Sequence, residues 1–226
     1  MKDYARYRKE FPITEKITFM NHAAVSPCPK RVVRAVTSFL KSYSENGIND
    51  YPDWMKRVEE VRGLFARLLR ADPGEIAFAG NTSDGLSTVA SGLDWKSGEG
   101  VLVPSPEFPA NVYPWMNLEG RGVRVRFIER EEGRIGVRHV EKALKPGTRL
   151  LALSSVDFAT GCRCDLEALG AFCRQKGLLF CVDAIQSLGV IPMDVNKYGI
   201  HFLASGGHKW LLATMGCGCL FISNEA

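Results

Sequence analysis

The segment Gly206-Gly207-His208-Lys209-Trp210 puts a lysine after two glycines and a histidine, with Leu211 and Leu212 beyond it. That setting is out of character for a solvated lysine. In an apolar, partly cationic site the ammonium loses proton affinity, and the neutral amine attacks an aldehyde. The plain alternative is a snorkelling surface lysine. Upstream, the apolar run GLLFCVDA ends at Asp183, and Gln186 follows three positions later. A carboxylate closing an apolar strand is costly to bury unpaired. It points to a cation or a protonated ring nitrogen, or else to a cap or turn. Asn81, Thr82, Ser83 and Asp84 follow EIAFAG and open a helix-like stretch. Hydroxyls there act as caps, or hold a phosphate against the helix N-terminus. Phe108, after GVLVPS, is either core or a flat wall for a planar ligand.

Each of these residues stands just beyond a short apolar run. The runs are EIAFAG, GVLVPS, VRVRFIE, TRLLALSSV, GLLFCVDA, IHFLAS and GCLFIS, and helical stretches such as SDGLSTVASGL, GVRHVEKALK and DLEALGAFCRQKG lie between them. Strands without strict polar alternation are buried on both faces. Strands alternating with helices predict an α/β fold with a doubly wound, mostly parallel sheet. In such sheets ligands bind beyond the carboxyl ends of the strands, so the order of residue types at those ends argues for one site. Ahead of the sheet, KRVVRAVTSFLKSYSENG and DYPDWMKRVEEVRGLFARLLRA have helical apolar spacing. Residues 1–29, with strand-like and turn-like pieces and three prolines, are expected to form an N-terminal arm, and residues 30–226 the domain itself.

The 226 residues suffice for one sizeable domain. With 46% hydrophobic and 24% charged residues the composition is globular. The net charge of +4 is spread along the chain, which gives no case for nucleic-acid binding. No apolar run approaches the ~20 residues that span a bilayer, and the charged N-terminus lacks a secretory apolar stretch. The expected location is the cytoplasm, with no membrane partner. The seven cysteines form C-x-C rather than C-x-x-C pairs and lie mostly in apolar runs. They read as small buried hydrophobes, with a metal or redox site as the competing reading.

The strand-end order resembles the fold type I pyridoxal-phosphate enzymes, and within them the class V aminotransferases. The likeness rests on VDAIQSLGVIPMDV and FLASGGHKWLL, with 26 positions from Asp183 to Lys209. FMNHAAVSP and EFPANVYPW look like further family segments. The resemblance implies pyridoxal 5'-phosphate as cofactor, held as a Schiff base on Lys209, which later moves protons at the substrate α-carbon. It implies that Asp183 keeps the pyridinium nitrogen protonated and that Gln186 hydrogen-bonds the phenolic oxygen. Thr82 and Ser83 would hold the phosphate, His208 would lie beside it, and Phe108 would stack on the ring. A small amino-acid substrate is implied, and a homodimer as well, because relatives contribute phosphate contacts from a second subunit.

The sequence also departs from the family. Cysteine desulfurases have a histidine where Phe108 stands, so the EFP segment looks more like kynureninases and isopenicillin-N-epimerase-like members. The family's phosphate-binding serine, three before the lysine, is Gly206 here, and Ser205 is the expected substitute. Phe158, in VDFATG, stands where an asparagine near the phenolic oxygen is expected. Cys217 and Cys219 lie too close to Lys209 to match the desulfurase nucleophile. Relatives continue past the strand after Lys209 into a small C-terminal domain that carries the substrate-gripping arginine. The expectation is therefore a large domain incomplete at its C-terminus. Four readings follow: an enzyme for transamination or Cα/Cβ lysis, a cysteine desulfurase, a truncated non-catalytic cofactor-binding fragment, and an unrelated doubly wound domain.

Overall fold

The computed structural model describes residues 4–226. A short helix α1 (Tyr4–Arg8) opens the described chain. The strand-like pieces read before residue 29 form no strand; the stretch holds a single 3₁₀ turn at Pro12–Glu15. Its prolines interrupt any ladder, and its partners lie elsewhere: Ser26 N donates to His208 O over 2.9 Å. Two amphipathic helices follow, α2 (Lys30–Asn46) and α3 (Tyr51–Leu69). α2 ends at Gly47, whose φ of 57° only glycine adopts freely. None of the residues of α2 is buried, whereas α3 buries Phe65, Ala66 and Leu69.

The remaining elements alternate as the apolar runs predict as far as β5, after which β6 and β7 follow with no helix between them. They are β1 (Ile76–Ala79), α4 (Thr82–Gly92), β2 (Gly100–Ser105), α5 (Tyr113–Met116), β3 (Arg124–Glu129), α6 (Val137–Ala143), β4 (Thr148–Ser154), α7 (Leu166–Lys176), β5 (Leu179–Asp183), β6 (Phe202–Gly206) and β7 (Gly218–Ile222). One seven-stranded sheet results, in the order β1-β7-β6-β5-β4-β2-β3. Only β7 runs against its neighbours, pairing antiparallel with both β1 and β6. The sheet is thus mostly parallel, as the sequence predicts.

Side chains alternate between two cores. Leu102, Leu151, Leu153, Phe180, Leu203 and Phe221 pack with α3, α6 and α7. Val101, Val103, Leu150, Cys181, Phe202 and Leu220 pack with Leu86 and Val89 of α4 and with Trp115 of α5. Both faces are covered, which is why the strands read as unbroken apolar runs. Cys164, Cys173, Cys181 and Cys219 are buried and all seven cysteines are free. Burial pushes the Cys164 thiol up to about 11 and those of Cys173 and Cys219 to about 12. These thiols stay protonated and behave as packing groups. Among the described residues no helix is long and apolar enough to cross a membrane.

The seat of α4 on β6 matters for the site. A Cβ on Gly85 would stand 2.8 Å from the Cβ of Ala204. Gly85→Val is therefore expected to lift the helix N-terminus off the sheet and to cost about 1–3 kcal/mol by urea denaturation.

Candidate functional site

A cavity of about 520 Å³ opens at the carboxyl ends of β1, β2, β4, β5 and β6. Thr82, Ser83, Phe108, Asp183, Gln186, His208 and Lys209 all line it. These seven candidates come from four chain segments, and the parallel strands bring them to one edge of the sheet.

Asp183 closes β5 and is 1% exposed. Its Oδ1 accepts from Ile185 N at 2.9 Å, but its Oδ2 is buried with no hydrogen-bond partner. Burial pushes its carboxyl up to about 7; the charge of Glu107 adds to the rise, and the Ile185 bond and Lys209 oppose it. Lys209 lies across the cavity, with its ammonium 5.8 Å from the centre of the Phe108 ring. Burial lowers its proton affinity, and the Asp183 charge partly restores it. The pair therefore combines an acid that holds its proton to higher pH than usual with an amine that gives its proton up more readily than usual. Burial and the nearby Lys209 charge also lower the proton affinity of His208.

At the start of α4 the cap is an amide rather than a hydroxyl. Asn81 is the cap, its side chain accepting from Asp84 N at 2.9 Å. Thr82 Oγ1 accepts from Gly206 N at 2.8 Å, tying α4 to the strand that leads to Lys209. Thr82→Val leaves that buried N–H without an acceptor, for an expected loss of about 1–3 kcal/mol in urea denaturation. Ser205 does not reach the cavity, contrary to the expectation that it replaces the family serine. Alternation along β6 turns it to the sheet face opposite Ala204 and α4. Its buried hydroxyl donates to Gly206 O at 3.3 Å.

The arm residues Asn21, Ala23 and Ala24, for which no role is legible in the sequence, form one wall. Gln186 Nε2 donates to Ala23 O at 3.0 Å, and Trp210 Nε1 donates to Gln186 Oε1 at 3.1 Å. His22 stacks on Trp210 with ring centres 5.6 Å apart. The arm is thus laced to the Lys209 loop. Phe158 forms another wall, meeting Phe108 edge to face with centroids 5.3 Å apart. Behind these two rings lies a buried ion cluster of Glu107, Arg130 and Asp157, which no local sequence pattern announced.

The family model described as aminotransferase class-V matches residues 18–226. This chain belongs to the aminotransferase class-V family. Two class-V relatives, the probable cysteine desulfurases of Methanothermobacter thermautotrophicus and Pyrococcus abyssi, are each 34% identical to it over 96% of its length. The chain spans 56% of the length of each. Among solved structures, an apo cysteine desulfurase from Thermococcus onnurineus superposes with a TM-score of 0.90 at 31% identity, covering 100% of this chain and 58% of that one. A cystine C–S lyase in complex with cysteine persulfide gives 0.90 at 26% identity, covering 95% and 59%. These class-V relatives carry desulfurase and lyase names, not the kynureninase style that the EFP segment suggested.

Proposed function

We propose that the chain is the cofactor-binding part of a pyridoxal-5'-phosphate-dependent enzyme that acts on an amino acid by transamination or Cα/Cβ lysis. The observation that carries this reading is the orphaned Oδ2 of Asp183, buried beside a cavity that also holds a lysine of lowered proton affinity. When bound, the cofactor supplies an aldehyde for an amine and a pyridine ring that takes up electron density. Lys209 offers the amine that holds the aldehyde, then serves as the base that takes and returns a proton at the substrate α-carbon. Asp183 takes a ring N–H as the partner that its Oδ2 lacks. Thr82 and Ser83, in the first turn of α4, offer N–H groups and a helix dipole to a phosphate, with His208 beside it. Gln186 spends one of its two amide N–H groups on Ala23; the other is assigned to the phenolic oxygen. Phe108 covers the ring and keeps water from Lys209.

The test is spectroscopic. Incubation with pyridoxal phosphate is expected to give an absorbance band near the visible edge, and borohydride to fix the cofactor on Lys209 in peptide mapping. No band, or fixation on another lysine, rejects the reading.

A second reading, sulfur release from cysteine, is favoured by the desulfurase names of the archaeal relatives. Phe108, in place of a histidine, stands against it. Sulfide release from cysteine with a persulfide left on one of the seven thiols would decide for it.

The proposal extends to a cytoplasmic homodimer. Its support is the apolar face of α2, where Val33, Val36, Phe39, Leu40 and Tyr43 are all exposed, more than a solvated helix normally shows. Sedimentation equilibrium tests it, and a monomer at micromolar concentration rejects it.

A further inference from the structure

The two aromatic residues that wall the cavity each follow directly on a buried carboxylate. Glu107 precedes Phe108 beyond β2, and Asp157 precedes Phe158 beyond β4. β4, β2 and β3 are consecutive in the sheet. Arg130, the first residue past β3, reaches across the end of β2 to both carboxylates. Its Nη2 lies 3.6 Å from Glu107 Oε2 and 3.0 Å from Asp157 Oδ2, and its Nε donates to Pro106 O at 2.8 Å.

Each carboxylate in turn fixes the backbone that carries its phenylalanine. Glu107 Oε1 accepts from Phe108 N at 2.7 Å and from Ser154 Oγ at 2.8 Å, and Oε2 accepts from Ser154 N at 3.0 Å. Asp157 Oδ1 accepts from Ala159 N, Thr160 N and Thr160 Oγ1, closing the turn that presents Phe158. Burial raises the Asp157 carboxyl, but the Thr160 and Ala159 bonds and the Arg130 charge hold it below the usual range. The cluster is dry: the side chains of Arg130, Glu107 and Asp157 are 6%, 0% and 2% exposed. Burying three charges is a poor route to stability compared with packed hydrophobic residues. It is a better route to geometry, because a single guanidinium nitrogen, Nη2, faces both carboxylates while Nε is held by Pro106 O, so a shift of either carboxylate is felt by the other.

We propose that Arg130 is a positioning residue for the cavity. Through Glu107 and Asp157 it fixes Phe108 and Phe158 in one mutual arrangement, and so sets the wall against which a planar ligand lies beside Lys209. The identity of that ligand rests on the function proposed above; the coupling of the two rings does not.

The experiment uses the full chain labelled with para-fluorophenylalanine, with the two fluorine resonances assigned by Phe108→Leu and Phe158→Leu. In Arg130→Met both resonances are expected to move towards the solvent-exposed value and to broaden together, and Arg130→Lys is expected to restore them in part. With pyridoxal phosphate present, Arg130→Met is expected to lose most of the visible circular dichroism of the bound cofactor and to bind it about tenfold more weakly. Unchanged fluorine resonances in folded Arg130→Met would show that Arg130 only stabilises the fold, and the proposal fails. Should Arg130→Met not fold, Glu107→Gln and Asp157→Asn each cut one arm. Each must then disturb both rings, and a disturbance confined to the adjacent ring overturns the proposal. A wild-type protein that takes up no cofactor rejects the proposed function, while the fluorine spectra still decide the coupling.

Discussion

Lys209→Ala is expected to abolish borohydride fixation of pyridoxal phosphate and to lower turnover by about 10³-fold or more, since the proposed function makes one side chain both nucleophile and proton carrier. Burial strips proton affinity from this amine while the Asp183 charge returns part of it. Loss of the amine leaves Phe108, Gln186 and the start of α4 in place, so the variant should still bind the cofactor non-covalently. Equilibrium dialysis measures that residual binding, and borohydride followed by peptide mapping measures the covalent part. A variant that keeps a reducible adduct at another lysine contradicts the assignment.

Asp183→Asn is expected to have two opposite effects. The native carboxyl holds its proton up to about pH 7, whereas the ordinary value is 3.8. Between those values the folded state binds more protons than the unfolded state, so stability falls as pH rises through that window. The full penalty, reached above about pH 7, is roughly 4 kcal/mol. Asparagine carries no charge to desolvate. The cofactor-free variant should therefore match wild type at low pH and be more resistant to urea at pH 8, with a flatter pH profile. Cofactor binding should move the other way. The amide cannot pair with a ring N–H⁺ as a carboxylate does, and the lost charged hydrogen bond weakens affinity about ten- to hundredfold. A variant less stable than wild type at pH 8 would contradict the origin assigned to the raised acidity.

The fold was legible because it is built from repeated local signals. Seven apolar runs became seven strands, and their lack of alternation reported that helices cover both faces. The site was legible where a residue broke the local pattern, as Asp183 does at the end of a buried strand and Lys209 after two glycines. The strand-like reading of the arm failed because a strand exists only where an edge is free to pair with it. The arm instead spends its polar groups on His208 and Gln186. Ser205 was misread because proximity in sequence to Lys209 does not say which face of β6 a side chain takes.

The sequence by itself determined the layered α/β architecture, the family and seven of the residues that surround the cavity. Periodicity, turn residues and motif spacing are properties of neighbours along the chain. Only the tertiary structure decided that Arg130 joins the loops beyond β2 and β4, that the arm walls the cavity, and that one oxygen of Asp183 is left without a partner. Those facts depend on which strand ends the sheet order makes adjacent and on how much water the packing leaves there, and neither is encoded in any short stretch of residues.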